Sequence, residues 1–272
     1  QERPVQGGHV PVLMAHGRAA PALCTRMRAD QLLVERGLAA SRSQAQRLIA
    51  AGVRWFDGAA WKPVAKNGDE LPEAARIELL DTAESRYVSR GGLKLEGALR
   101  TAGLDVGGWT CLDVGQSTGG FTDCLLQHGA ARVTGIDVGH GQLHEKMRRD
   151  PRVVAIEKLN ARELSAEQVG ADFDLVSGDL SFISLTLVLP ALVPLLKPQG
   201  HLLMLAKPQF ELQPGQVGKG GVVREPALYA QVEQRLRDAC AALALPVRGW
   251  YDSPIAGGDG NREFFLHAQR RD

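Results

Sequence analysis

Little in this chain would staple it covalently, and nothing in it reads as a membrane helix. Cysteine occurs four times in 272 residues, as Cys24, Cys111, Cys124 and Cys240, without a CxxC pair. Neither a disulfide framework nor a metal centre is indicated, and a reducing, cytoplasmic compartment is expected. No apolar run approaches the roughly 18 residues of a membrane span. The longest, residues 185–196, is interrupted by Pro190 and Pro194. Net charge is almost absent too, at +1, so global charge does not point to a polyanionic partner. Internal repeats and low-complexity segments are missing. What remains, 44% apolar and 23% charged residues, is the composition of a globular protein with room for one large domain and a small one.

Charge is uneven along the chain. Residues 28–66 carry seven basic side chains (Arg28, Arg36, Arg42, Arg47, Arg54, Lys62, Lys66) against Asp30, Glu35 and Asp57. Residues 69–84 reverse the sign, with six acidic side chains against Arg76. A locally basic unit suits phosphate binding, and equally a solvated surface. Residues 27–81 read as a small α+β module. One helix is expected over 28–36, stopped by Gly37. Ser41-Arg42-Ser43-Gln44 opens a second as a capping box. Short strands follow at 53–56 and 75–80, with Asp57-Gly58 as a turn. Residues 1–26 lack the basic start of a signal peptide and are expected to be a flexible extension ahead of Met27, the expected natural start. Residues 82–92 link the module to a second unit, 93–272.

That unit alternates strands and helices, which implies a mostly parallel sheet with helices on both faces. The expected order runs from a helix at 93–102 through strands at 111–114, 132–138, 153–157, 173–176 and 201–206. Helices are expected at 121–128, 185–196 and 226–243. The last two strands, 247–251 and 262–268, are joined by a turn alone and should form an antiparallel hairpin at the edge. The fold class is therefore α/β, a Rossmann-like sheet with an antiparallel ending, as in methyltransferases rather than dinucleotide dehydrogenases.

Between strand 111–114 and the following helix lies Gly115-Gln116-Ser117-Thr118-Gly119-Gly120, a turn through which backbone can approach a cofactor closely. The lysine of a GxxxxGK[ST] loop is missing, and so is the GxGxxG of a dinucleotide site. Asp137, close to 20 residues past the first glycine and at the end of the next strand, can bind both hydroxyls of a ribose. S-adenosylmethionine, with a ribose and no pyrophosphate, meets this pattern. The bland reading, a tight βα turn and nothing more, stays open on spacing alone.

Ligands of an open α/β sheet bind beyond the carboxyl ends of its strands. Asp179 and Lys207 stand at two such ends, Glu263 lies in the final strand, and Lys94 opens the first helix of the unit. A ribose 2′-hydroxyl is a very weak acid and must lose its proton as it attacks a methyl group. An amine that burial keeps uncharged, Lys207, can take that proton, with Lys94 orienting the hydroxyl and Asp179 and Glu263 positioning the lysines. Taken singly, each residue could equally be half of a structural ion pair.

The motifs then make a resemblance. Residues 27 to about 269 resemble the TlyA family of rRNA 2′-O-methyltransferases, some of which are labelled haemolysins. Met27-Arg28-Ala29-Asp30-Gln31-Leu32-Leu33 with Ser41-Arg42-Ser43-Gln44 resembles an S4 RNA-binding domain. Ser89-Arg90-Gly91-Gly92-Leu93-Lys94, Ser117-Thr118-Gly119-Gly120-Phe121, Gly178-Asp179-Leu180-Ser181-Phe182 and Lys207-Pro208-Gln209-Phe210-Glu211 resemble an FtsJ-like methyltransferase domain. The resemblance implies a catalytic tetrad of Lys94, Asp179, Lys207 and Glu263. It implies an S-adenosylmethionine site at Gly115, Ser117, Gly119, Gly120 and Asp137, with Asn160 and Ala161 near the adenine; Gln116, Thr118 and Asp179 are added as neighbours. For RNA it implies Arg28, Arg42, Arg47 and Lys62, with Arg90, and ribosomal RNA or ribosomal subunits as partner. Two departures stand out. Gln116 replaces a usual alanine and could face the methionine carboxylate or merely point outward. Arg54-Trp55-Phe56-Asp57-Gly58 replaces an aliphatic-Asn-Gly hairpin. Two other classes compete: a membrane-active haemolysin, and a ribosome-assembly factor that binds RNA without turnover.

Overall fold

The computed structural model describes residues 25–80, 86–258 and 260–271. The expected extension therefore lies almost wholly outside the described residues, as does the start of the expected linker, residues 82–85. The small domain begins with β1 (Arg26–Arg28), followed by α1 (Ala29–Glu35), α2 (Arg42–Gly52), β2 (Val53–Phe56), β3 (Trp61–Pro63), β4 (Glu70–Pro72) and β5 (Arg76–Leu79). Arg28, expected to open a helix, closes a strand instead: β1 pairs antiparallel with β4, Arg26 opposite Pro72. No side chain caps α1. The Ala29 and Asp30 N–H groups donate to the carbonyls of Asp69 and Asn67, so a neighbouring loop satisfies donors that a helix start leaves orphaned. In α2 half of the expected capping box is present, Ser41 Oγ accepting from the Gln44 N–H at 3.2 Å, while the Gln44 side chain accepts from the Ala40 N–H at 2.6 Å rather than from that of Ser41. β3, β2 and β5 form a three-stranded sheet. Leu32, Leu33, Leu48, Ile49, Val53 and Leu71 make the core between helices and strands.

The large domain continues with α3 (Gly91–Ala102), β6 (Thr110–Val114), α4 (Gly120–Gln127), β7 (Arg132–Asp137), α5 (Glu145–Arg149), β8 (Val153–Glu157), α6 (Ala166–Val169) and β9 (Phe173–Gly178). It ends with α7 (Leu189–Leu192), β10 (Leu196–Ala206), α8 (Pro208–Glu211), α9 (Pro226–Ala242), β11 (Val247–Asp252) and β12 (Phe264–Gln269). Its seven strands lie in the order β11-β12-β10-β9-β6-β7-β8. β12 runs antiparallel to both neighbours and the other pairings are parallel. Two buried clusters cover the sheet. One joins β6, β9 and β10 to α7 and α9, and the other packs α3 and α4. The chain leaves β6 toward β7 on one side and reaches β9 on the other, so the strand order reverses at β6. A crevice opens at such a reversal.

Two sequence expectations change here. The single helix over 185–196 is instead a 3-10 turn at Leu185–Leu187, the short α7, and a second 3-10 turn at Val193–Leu195. Pro190 and Pro194 lack the N–H groups that a continuous ladder needs. The apolar spacing survives the break, with Leu185, Leu189, Leu192 and Leu195 all buried. Glu263 lies one residue before β12 rather than inside it. Among the described residues, no helix is long and apolar enough to cross a membrane.

Candidate active site

The site begins where β6 ends. Gly115 has φ +84°, and a Cβ there would stand 2.7 Å from the carbonyl oxygen of Asp179. Only glycine lets the ends of β6 and β9 approach this closely. The Gly115 and Gln116 N–H groups both donate to the Ile136 carbonyl at 2.9 Å. Asp137, ending β7, accepts from the Ser117 N–H at 2.8 Å and the Gly139 N–H at 2.7 Å. Its carboxylate thus fixes the loop and retains lone pairs for a ribose. Gly119 turns the chain at φ +95° into α4. At Gly120 a Cβ would collide with Ser89 Oγ, so the glycine loop and the Ser89-Arg90-Gly91-Gly92 motif are pressed together.

Gln116 does not face outward. Its amide lies over Gly135, where a Cβ would collide with it, and donates to Thr122 Oγ1 at 2.9 Å. The Thr122 hydroxyl in turn donates to Asp113 Oδ2 at 2.6 Å. Gln116 therefore props the loop from beneath. Burial pushes the Asp113 carboxyl up to about 7, against the opposing pull of its Thr122 hydrogen bonds.

Two clefts meet at this loop. One, of about 350 Å³, is walled by Ile136, Val138, Leu159 and Ala161, with Asp137 and Asp179 among them: a mainly apolar slot with a carboxylate at the end of each of two strands, suited to a nucleoside. The other, of about 440 Å³, holds Lys94, Lys207, Ser117 and Thr118, and Arg47 and Arg90 also line it. Gly115, Ser117, Asp179 and Ser181 line both. Asn160, expected beside the adenine, is not on the wall. Its side-chain Oδ1 accepts the Arg162 N–H at 3.1 Å and so caps the turn that presents Ala161. A larger groove of about 890 Å³ runs between the end of α9 and the start of β11. Among the described residues its lining holds no carboxylate, and its Arg237 is paired with Glu233 at 2.7 Å, so size alone does not mark the chemistry.

The four tetrad residues form two pairs. Lys94 Nζ lies 2.5 Å from Glu263 Oε2, with both side chains buried. Lys207 Nζ lies 2.6 Å from Asp179 Oδ1 and donates to Ser181 Oγ at 2.8 Å. The lone uncharged amine expected at position 207 is thus one partner of an ion pair at the wall shared by the two clefts.

The basic candidates divide. Arg47 and Arg90 reach the polar cleft, Arg90 also donating to the Ala256 carbonyl at 3.0 Å. Arg28 and Arg42 converge instead on the fully buried Asp30, at 3.0 and 2.9 Å, and Arg28 foremost holds that carboxyl well below the usual range. Their guanidinium groups remain about half exposed. Lys62 pairs with Asp57 at 2.6 Å on the hairpin and lines neither cleft. Sequence reasoning left Ser181 and Phe182 without a role. Phe182 is 90% exposed at φ +63°, a conformation uncommon for an aromatic residue. The one signal available was their place two and three residues past Asp179.

The comparisons with known proteins fit this geometry. The model of the FtsJ-like methyltransferase family matches residues 87–270. The chain is 46% identical over 244 residues to the 16S/23S rRNA (cytidine-2′-O)-methyltransferase TlyA of Mycobacterium tuberculosis, covering 90% of each. A solved candidate hemolysin of Streptococcus thermophilus superposes with a TM-score of 0.70 at 38% identity, over 92% of this chain and 90% of that one. A candidate S-adenosylmethionine-dependent methyltransferase of Listeria monocytogenes shares the fold, with a TM-score of 0.51 at 15% identity over 67% of this chain and 99% of that one. The chain belongs to the FtsJ-like methyltransferase family, in its TlyA branch, and its cofactor is S-adenosylmethionine.

Proposed function

We propose that the chain methylates ribose 2′-hydroxyls of ribosomal RNA, in the cytoplasm, as the name of its mycobacterial relative implies. The observation that carries this is the position of Lys207 in the polar cleft, paired with Asp179, which lines both that cleft and the nucleoside slot. The slot fits the cofactor: Gly115 clears its floor, Asp137 takes the ribose hydroxyls, and Val138, Leu159 and Ala161 surround the base. When bound, S-adenosylmethionine supplies an electrophilic sulfonium methyl group. Lys207 accepts the proton of the attacking 2′-hydroxyl. Asp179 and Lys94 hold the amine and the hydroxyl in line, where placement within a fraction of an ångström decides the rate. Glu263 fixes Lys94.

The small domain acts as the S4-like RNA-binding unit. Arg28 and Arg42 present guanidinium groups held in register by Asp30, and Arg47 extends that basic surface into the polar cleft beside Arg90. Lys62 contributes, if at all, as a peripheral phosphate contact. The reading is tested by mapping 2′-O-methyl groups on ribosomal RNA from cells with and without this protein, and by incubating pure protein with labelled cofactor and ribosomal subunits. Loss of specific 2′-O-methyls in the first and label transfer in the second are expected. Binding without transfer would support an assembly factor instead.

A further inference from the structure

We infer that Ser181 is a positioning residue for this reaction, one that fixes the direction in which Lys207 presents its proton-accepting orbital. The inference rests on the role of Lys207 proposed above. An amine nitrogen has four tetrahedral directions. At Lys207 one is the bond to Cε and a second is the N–H that donates to Ser181 Oγ at 2.8 Å. Asp179 Oδ1 lies 2.6 Å away as a charge partner but accepts no hydrogen bond, so it attracts the amine without setting its rotation. The Ser181 bond sets that rotation and with it the two remaining directions. Lys207, Asp179 and Ser181 all line the polar cleft, and the lone pair has to be directed into that space. During transfer the 2′-O–H bond breaks and its proton joins the lone pair held in that direction. The new O–CH3 bond forms as the S–CH3 bond breaks, and the positive charge passes from sulfur to Lys207. With Asp179 as its only anchor, the amine would turn about Cε–Nζ and offer an N–H where a lone pair is needed.

The backbone around Ser181 is held as such a role requires. The next residue, Phe182, sits in the left-handed region at φ +63°, and its ring packs against Phe210 with centroids 5.0 Å apart. Phe210 lies three residues past Lys207, so the loops after β9 and β10 are tied directly. Glu211, buried on α8, ties them again, accepting from Ser184 Oγ at 2.5 Å and from the Leu185 N–H at 2.7 Å. Strain of this kind persists where surrounding contacts over-determine it, and it gathers at functional sites. Ser181 itself is solvent-exposed, while the Lys207 side chain that it holds is only 11% exposed.

The test compares Ser181→Ala, Ser181→Thr and the wild-type protein for methyl transfer to ribosomal subunits. Ser181→Ala should lower kcat by about tenfold or more, the scale on which misplaced reacting groups act, with the KM for RNA and the Kd for S-adenosylmethionine within about twofold of wild type. Its rising kcat–pH limb should move to lower pH, because the ammonium form of Lys207 has lost an acceptor. Ser181→Thr, which keeps the hydroxyl, should restore most of the rate and the limb. Wild-type kcat and an unmoved limb in Ser181→Ala would overturn the inference. So would equal losses in both variants with weakened cofactor binding, which would mark a structural role. Wild-type protein that transfers no methyl group to RNA would instead overturn the proposed function.

Discussion

Two lysine–carboxylate pairs of nearly equal length face the same cleft, yet they are different objects. Lys94–Glu263 measures 2.5 Å, with side chains 10% and 3% exposed. Lys207–Asp179 measures 2.6 Å, with side chains 11% and 25% exposed. In the first pair both charges have left water, so each is tolerable only while the other is there. In the second the lysine is as covered as Lys94, and it is the carboxylate that keeps contact with water. The first pair therefore ties α3 to the residue just before β12. The second keeps its carboxylate partly hydrated whichever state the amine takes. One motif of lysines and acids, read along the sequence as a single tetrad, is divided by burial into a strut and a working pair.

The largest effect should fall on the working pair. Lys207→Ala is expected to lower methyl transfer by about 10²- to 10⁴-fold, the range of a general base. Because a partly exposed pair is worth about 0–1 kcal/mol, its melting temperature should barely move. Its affinity for S-adenosylmethionine should stay close to wild type, since Asp137 and the glycine loop are untouched. Kinetics, calorimetric titration and thermal melting on one preparation separate these three outcomes. Near-normal transfer by Lys207→Ala would break the comparison at its functional end.

The strut predicts the reverse emphasis. Lys94→Ala strands the Glu263 carboxylate in the interior, and breaking a buried pair by removing one partner costs about 3–5 kcal/mol. The denaturation midpoint should drop accordingly. The double variant Lys94→Met, Glu263→Leu removes both charges at similar volume, so it should regain most of that stability while staying deficient in transfer. If Lys94→Ala melts like wild type, burial does not distinguish the pairs and the comparison fails at its structural end.

This division was out of reach of the sequence, while its ingredients were not. The alternation of apolar runs, the glycines at 115, 119 and 120, and Asp137 at a strand end are local signals. Each reports on neighbours a few residues away, and the mostly parallel sheet, its antiparallel edge hairpin and a nucleoside site follow from them. The pairs are not local. Lys94 and Glu263 are 169 residues apart, and nothing along the chain says that Glu263 meets Lys94 rather than Lys207. Gln116 was ambiguous for the same reason, because its direction depends on the space above Gly135 in the next strand. β1 was missed because three residues carry no period, and its partner β4 lies more than forty positions on. Pro190 and Pro194 were legible as obstacles to a membrane span, but their effect on the helix at 185–196 was underestimated. A buried apolar spacing of three and four survives a run of short helical turns as well as it fills one helix.

A pair without charge, His267 buried and His201 half-buried, sharpens the contrast and should give the smallest effect. His267 on β12 and His201 on β10 meet with Nδ1 of His201 3.0 Å from Nε2 of His267. Tyr251 Oη lies 3.3 Å from Nδ1 of His267, and Trp109 stacks on His201. No carboxylate is hydrogen-bonded or ion-paired to either ring among the described residues. Burial foremost, then the neighbouring His201 and Arg248, lowers His267 to about 4. His201 is lowered as well, by burial and then by Arg248 and Lys197. The sign follows from proton counts. Between pH 6.5, where an unperturbed histidine titrates, and about 4, the unfolded chain binds a proton at His267 that the folded chain refuses. The stability contributed by the neutral ring is complete above that window and is lost as pH falls through it. Melting curves from pH 7.5 to 4.5 should decline more steeply for wild type than for His267→Gln, which keeps a hydrogen-bonding group and cannot take the proton. Parallel curves would mean that His267 ionises inside the fold at little cost, and then burial would not be what makes Lys94–Glu263 a strut.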